Sequence, residues 1–158
     1  MSRTKKIKKR SVIAEPIFGN KLLARFINQT MHDGKKSVAQ KLVYTALEKI
    51  KEKNLDPIEV FQGALQNVGP RFEVRPRRVG GASYQVPVEV RGERRISLSI
   101  RWIIASANNR SSKEYHTFAD KLSAEFLDAY NNLGEAIKKK DLMQRNAEAN
   151  RAFAHFRW

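Results

Sequence analysis

Six arginines stand within residues 72–95, FEVRPRRVGGASYQVPVEVRGERR: Arg75, Arg77, Arg78, Arg91, Arg94 and Arg95. A guanidinium is always charged and offers a planar fork of N–H donors that matches a phosphate and stacks on a base. Acids are few in this stretch. The chemistry it suits is recognition of a polyanion; the bland alternative is a hairpin kept soluble by its charge. Residues 1–10, MSRTKKIKKR, add Lys5, Lys6, Lys8, Lys9 and Arg10 in a block without an acid. Like-charge blocks of this kind commonly bind nucleic acid. Arg101 and Trp102 extend the arginine-rich stretch. The tryptophan is either a core residue or a base-stacking platform. Lys35 and Lys36, in HDGKKS, either reach phosphate or stay solvated.

Other chemistries lack their residues. There is no cysteine, which removes disulfides and thiolate metal sites. His32, His116 and His155 are scattered, without the spacing of a metal motif. HDGKKS has a Gly-Lys pair but no glycine four residues upstream, so it is not a phosphate-binding Walker loop, and no GxSxG elbow occurs. No cofactor and no catalytic cluster is implied. Lysine and arginine total 31 against 16 acids, a net charge of +15, while apolar residues make up 41% of the 158. Such a chain can bury a core, but its excess charge calls for an anionic partner, nucleic acid before membrane surface. The longest apolar run is too short to span a bilayer and the start lacks a signal-peptide stretch, so a soluble intracellular protein is expected.

The elements that must position these residues are mainly helical. Asn20 caps a first helix with Leu22, Leu23, Phe26 and Ile27 on one face, and His32-Asp33-Gly34 stops it. Ser37 and Gln40 read as the capping box of a second, with Val38, Leu42, Val43, Ala46, Leu47 and Ile50 as its stripe. Asp56 caps a third, with Pro57 at the first helical position, Glu59 closing the box, and Gly69-Pro70 ending it. Residues 93–108 form a fourth along Ile96, Ile100, Ile103, Ile104 and Ala107. Ser111 and Glu114 open a fifth, which ends at Asn131–Gly134. The chain stays helix-prone from Glu135. With no repeat and no linker, the expectation is a single domain over 1–158. Its fold is mainly α: a bundle of five to six helices with one protruding two-stranded hairpin over 72–90, a basic arm over 1–10 and a C-terminal helix and tail over 135–158.

Gly80-Gly81 makes a two-residue turn and sets the hairpin register: Val79 opposite Ala82, Arg77 opposite Tyr84, Arg75 opposite Val86. Pro76 and Pro87 are tolerated where no ladder donor is needed, and they discourage a further strand. A lone ribbon is marginal, so this one must rest on the body or on a partner.

The segments RFINQTMHDGKKSVAQKLVYTAL, PRRVGGASYQVPVEVRGERR and AEANRAFAHFRW resemble the bacterial-type ribosomal protein S-seven family of the small subunit, in the same order across essentially the whole chain. The resemblance implies a helical bundle with a β-ribbon, bound to the 3′ major domain of small-subunit ribosomal RNA. It also implies a role in nucleating assembly of the subunit head. The partners it implies are that RNA, small-subunit protein eleven and other head proteins, with exit-site tRNA and mRNA nearby and no membrane. The workplace is a ribosome in the cytoplasm, or in a plastid or mitochondrion. The RNA-facing residues it implies are Lys5, Lys6, Lys8, Lys9 and Arg10, the pair Lys35 and Lys36, then Arg75, Arg77, Arg78, Arg91, Arg94, Arg95 and Arg101. Tyr84, Arg157 and Trp158 become contacts to tRNA or a neighbouring protein, while Phe153 and Phe156 either pack on the bundle or share that partner.

The chain departs from the family at Ala107-Asn108-Asn109-Arg110, where relatives carry a more basic turn, so RNA contact there is in doubt. Gln144 stands where a histidine is expected. An architectural DNA-binding arm and an RNA-modifying enzyme are the rival classes. The first places its prolines at the arm's tip, whereas here they lie within the strands; the second lacks a cofactor motif.

Overall fold

A computed structural model describes residues 11–156. Six α-helices lie among them: α1 (Lys21–Thr30), α2 (Lys36–Lys51), α3 (Pro57–Val68), α4 (Gly92–Asn109), α5 (Phe118–Tyr130) and α6 (Glu135–Ala149). Two strands, β1 (Phe72–Val79) and β2 (Ala82–Glu89), form an antiparallel hairpin between α3 and α4, and a short 3₁₀ helix, Arg151–Phe156, follows α6. The mainly α class and the single ribbon are as the sequence led one to expect.

The core is one cluster drawn from all six helices. At its centre the rings of Phe26, Phe61 and Phe126 meet at 5.3–5.6 Å, joining α1, α3 and α5. All three are fully buried, and each such ring stabilises the fold by roughly 1.5–3 kcal/mol. α3 and α5 approach closely at Gly63, where an added Cβ would lie 2.7 Å from the Tyr130 ring.

Two helix starts follow their residues. Asn20 Oδ1 accepts from Leu22 N at 2.8 Å, and Asp56 Oδ1 accepts from Ile58 N at 2.9 Å with Pro57 in the first turn. Three capping expectations fail. Ser37 lies inside α2, whose N-cap is Lys35 with no side-chain cap bond, because Lys36 N already turns back to Gly34 O. Val38 on that first turn is 54% exposed, and Ala39 takes the core position. Glu59 does not close a box on α3; it accepts instead from Tyr130 Oη at 3.3 Å. Ser111 and Glu114 belong to an irregular turn, and the fifth helix starts at Thr117, whose box with Asp120 is complete on both sides. The Asp120 carboxylate also holds Lys49 of α2, which is the tie that favours the later start.

The hairpin register is as deduced, Val79 opposite Ala82 through Phe72 opposite Glu89. Gly80 and Gly81 have φ of 56° and 91°, which a two-residue turn of this hand requires. Counting back from the hydrogen-bonded pair at the turn, Pro76–Gln85 and Val74–Pro87 fall at non-hydrogen-bonded pairs. Neither proline therefore removes a ladder donor. The ribbon is not free at its base: Val86, Pro87 and Val90 are buried.

Candidate nucleic-acid interface

The basic residues sort by what their side chains already touch. Arg77 and Arg78 are exposed on β1, and neither makes a hydrogen bond or ion pair to another described residue. Arg75 shares their strand but donates through Nε to Glu73 Oε1 at 2.6 Å, with Nη2 at 2.5 Å. Arg94, from the first turn of α4, donates through Nε to both oxygens of the same carboxylate, at 2.9 and 2.7 Å. Glu73 is 3% exposed, yet both arginine side chains remain about half exposed. Burial alone would raise the Glu73 carboxyl; the Arg94 and Arg75 guanidiniums hold it below its ordinary range.

On the other side of Arg94 a cavity of about 600 Å³ opens between α1 and the start of α4, lined by Arg25, Arg91, Gly92, Glu93, Arg94 and Ser97. Val12 lines the adjoining groove with Arg25 and Ser97, which brings the start of the described chain to this same face. Arg25, Arg91, Arg94 and Arg75 thus form a connected set that leads onto the exposed part of the ribbon. The array can grip successive phosphates, since each fork binds an anion and four arginines against Glu73 and Glu93 leave the field positive.

Other candidates are used differently. Arg95 turns inward, donating through Nε to Gly69 O at 3.1 Å and through Nη2 to Gln66 O at 3.2 Å, so it caps the C-terminal carbonyls of α3. Arg101 is exposed on α4, while Trp102 is half-buried against the core, as its core reading expects. Lys35 and Lys36 are exposed at the uncapped start of α2. Tyr84 does not stand free: its ring lies 5.2 Å from both Phe153 and Phe156. Phe153 and Phe156 therefore rest on the hairpin rather than on the bundle. Lys5, Lys6, Lys8, Lys9, Arg10, Arg157 and Trp158 lie outside the described residues.

Sequence reasoning missed Arg25 and three buried carboxylates. Arg25 follows Lys21 by four on the polar face of α1, a spacing that was there to be read. Glu73 sits on the Arg75 side of its strand, opposite Val88. Glu125 is fully buried because it rides the apolar stripe Leu122–Phe126–Ala129. It accepts from Arg110 Nε at 2.7 Å and from Ala136 N at 3.2 Å, so Arg110 joins the ends of α4, α5 and α6, with Asp128 as a second partner. In the turn that departs from the family pattern, this arginine is a strut. Glu15, also buried, accepts from Ile17 N, Phe18 N and the Tyr44 hydroxyl. Burial and that contact push Tyr44 up to about 12.

Among the described residues no group of three or more His, Asp or Glu could hold a metal, and no helix is long and apolar enough to cross a membrane.

Comparison with known proteins defines the class first: its relatives are structural ribosomal proteins. The family described as ribosomal protein S7p/S5e matches residues 2–151. Proteins named small ribosomal subunit protein uS7 match over 100% of both chains: 57% identical over 159 residues in Xanthobacter autotrophicus, 54% over 159 in Caldicellulosiruptor bescii, and 55% over 161 in Acidiphilium cryptum. The chain belongs to the S7p/S5e family, as the bacterial-type uS7 kind, whose members act in translation and RNA binding and are not enzymes.

Proposed function

We propose that this protein is a primary RNA-binding constituent of the small ribosomal subunit in the cytoplasm. It binds the 3′ major domain of small-subunit ribosomal RNA and nucleates the subunit head as one domain. The observation that carries this reading is the basic surface: Arg25, Arg91 and Arg94 around one cavity, Arg75 beside them, Arg77 on the same face of the ribbon as Arg75 and Arg78 on the other, the last two without an ion pair among the described residues. Arg101, Lys35 and Lys36 and the basic residues Lys5–Arg10 add phosphate contacts around it. Arg95 contributes less than its neighbours, because its Nε and Nη2 are turned to the carbonyls of Gly69 and Gln66. Arg157 and Trp158 contact exit-site tRNA or a neighbouring protein such as small-subunit protein eleven. Tyr84 supports that surface by holding the tail.

The test is competition. An isolated 3′ major domain transcript and a DNA duplex of equal length are offered to the protein, and the bound transcript is footprinted. Preference for the transcript, with protections confined to a few helices, is the expected result. Equal competition by duplex DNA would instead favour an architectural DNA-binding arm.

A further inference from the structure

Glu73 is an acid in the middle of a basic face. Taken alone it repels a phosphate, and burying a carboxylate at 3% exposure is costly unless its partners are well placed. Neighbouring positions at the ribbon base are valines, so an apolar residue would fit the local pattern. Its geometry supplies the reason. One carboxylate engages Nε of Arg94 with both oxygens, and Nε and Nη2 of Arg75 with one. The two arginines come from different elements, β1 and α4, and among the described residues only this carboxylate bonds both. Arg94 is bound through Nε, which leaves its Nη donors for another partner. Each guanidinium is therefore fixed on one side and half exposed on the other.

We propose that Glu73 is a positioning residue for RNA recognition: it locks Arg75 and Arg94 into a rigid pair whose outward N–H groups meet neighbouring phosphates of the specific RNA. Long arginine side chains lose much rotamer freedom on binding, and a pair already ordered in the free protein avoids that loss. The gain is confined to an RNA whose phosphates match the fixed spacing. A mismatched RNA receives only the general positive field, which Glu73 weakens. The carboxylate thus lowers non-specific affinity and raises specific affinity. This inference rests on the RNA-binding reading above.

The experiment is a double-mutant cycle of Glu73→Gln with Arg94→Ala. Dissociation constants are measured at one salt concentration on the 3′ major domain transcript and on an unrelated RNA duplex. Glu73→Gln is expected to weaken transcript binding by about fivefold or more while duplex binding stays equal or tightens; in the Arg94→Ala background its effect shrinks to within about twofold. Tighter binding to both RNAs, or an equal loss in both backgrounds, overturns the proposal. Should Glu73→Gln not fold, Arg94→Lys keeps the charge and loses the fork: selective loss on the transcript supports the pair, and unchanged selectivity overturns it. If the unaltered protein binds transcript and duplex alike, the RNA reading itself fails, which the variants alone would not reveal.

Discussion

Arg77 and Arg95 carry the same side chain into different surroundings. Arg77 projects from a ribbon with no side-chain partner among the described residues, whereas Arg95 spans from α4 to two carbonyls at the end of α3. An added Cβ at Gly69 would lie 2.5 Å from Arg95 Nε, so the guanidinium fills the space that glycine leaves. The two positions should separate affinity from stability. Changing Arg77 and Arg78 together to alanine is expected to cost about 2–4 kcal/mol of RNA binding and almost nothing in urea unfolding, because charge-assisted bonds to phosphate are lost and no internal bond is. Arg95→Ala is expected to cost about 1–3 kcal/mol of folding stability, the worth of charged hydrogen bonds to backbone, with a smaller change in affinity. A destabilised Arg77/Arg78 variant with intact binding would reverse the assignment. Residue type alone does not divide these arginines. The division is made by tertiary position, which puts a carbonyl within reach of one and open solvent beside the other.

At the scale of elements, the ribbon and the tail hold each other. Tyr84 of β2 sits between Phe153 and Phe156 of the 3₁₀ helix, and Pro87 and Phe72 face Ala154 and α6 across a cavity of about 520 Å³. The ribbon's extended reach is stiffened from below by Val86 and Glu73 and from the side by this clasp. Chain ends fray unless something holds them. Each aromatic pair contributes ~0.5–1.5 kcal/mol, so Tyr84→Ala should speed amide exchange at residues 153–156 by about tenfold while global unfolding stays put. Unchanged exchange in the tail would mean that the clasp carries no weight. The hairpin register and its turn were legible because Gly-Gly with flanking alternation admits one pairing. Helix existence was legible from the apolar stripes. The starts of α2 and α5 were not: Ser37 and Ser111 both precede an acid or amide at box spacing, but the preceding turn at Gly34 and the Lys49–Asp120 tie decided them. The basic face was legible in composition. Its internal carboxylate and Arg25 were not singled out, since each takes its meaning from a neighbour on another element.

Across the whole molecule the charge balance is the controlling quantity. A net +15 on 158 residues opposes compaction by self-repulsion, and the fold offsets it with a single apolar core and with acids placed as internal struts at Glu15, Glu73 and Glu125. Those struts consume Arg110 wholly and Arg75 and Arg94 by half, so the charge available to a polyanion is smaller than the total. Among the described residues the cations without an ion pair include Arg25, Arg91, Arg77 and Arg78 on α1, the start of α4 and the ribbon, while Lys41, Lys51, Lys139 and Arg145 spread others over α2 and α6. Binding that displaces counterions from roughly six to ten phosphates gives a log K against log salt slope of about −4 to −9. The expected result is a slope within that range on the 3′ major domain transcript, reduced by about two when Arg77 and Arg78 are both alanine, because each phosphate contact contributes slightly less than one. Titrations between low and near-physiological salt measure it directly. A slope near zero would mean that the basic face is not the binding face. A slope that the ribbon variant leaves unchanged would move the phosphate contacts off the hairpin and onto α1 and α4 alone.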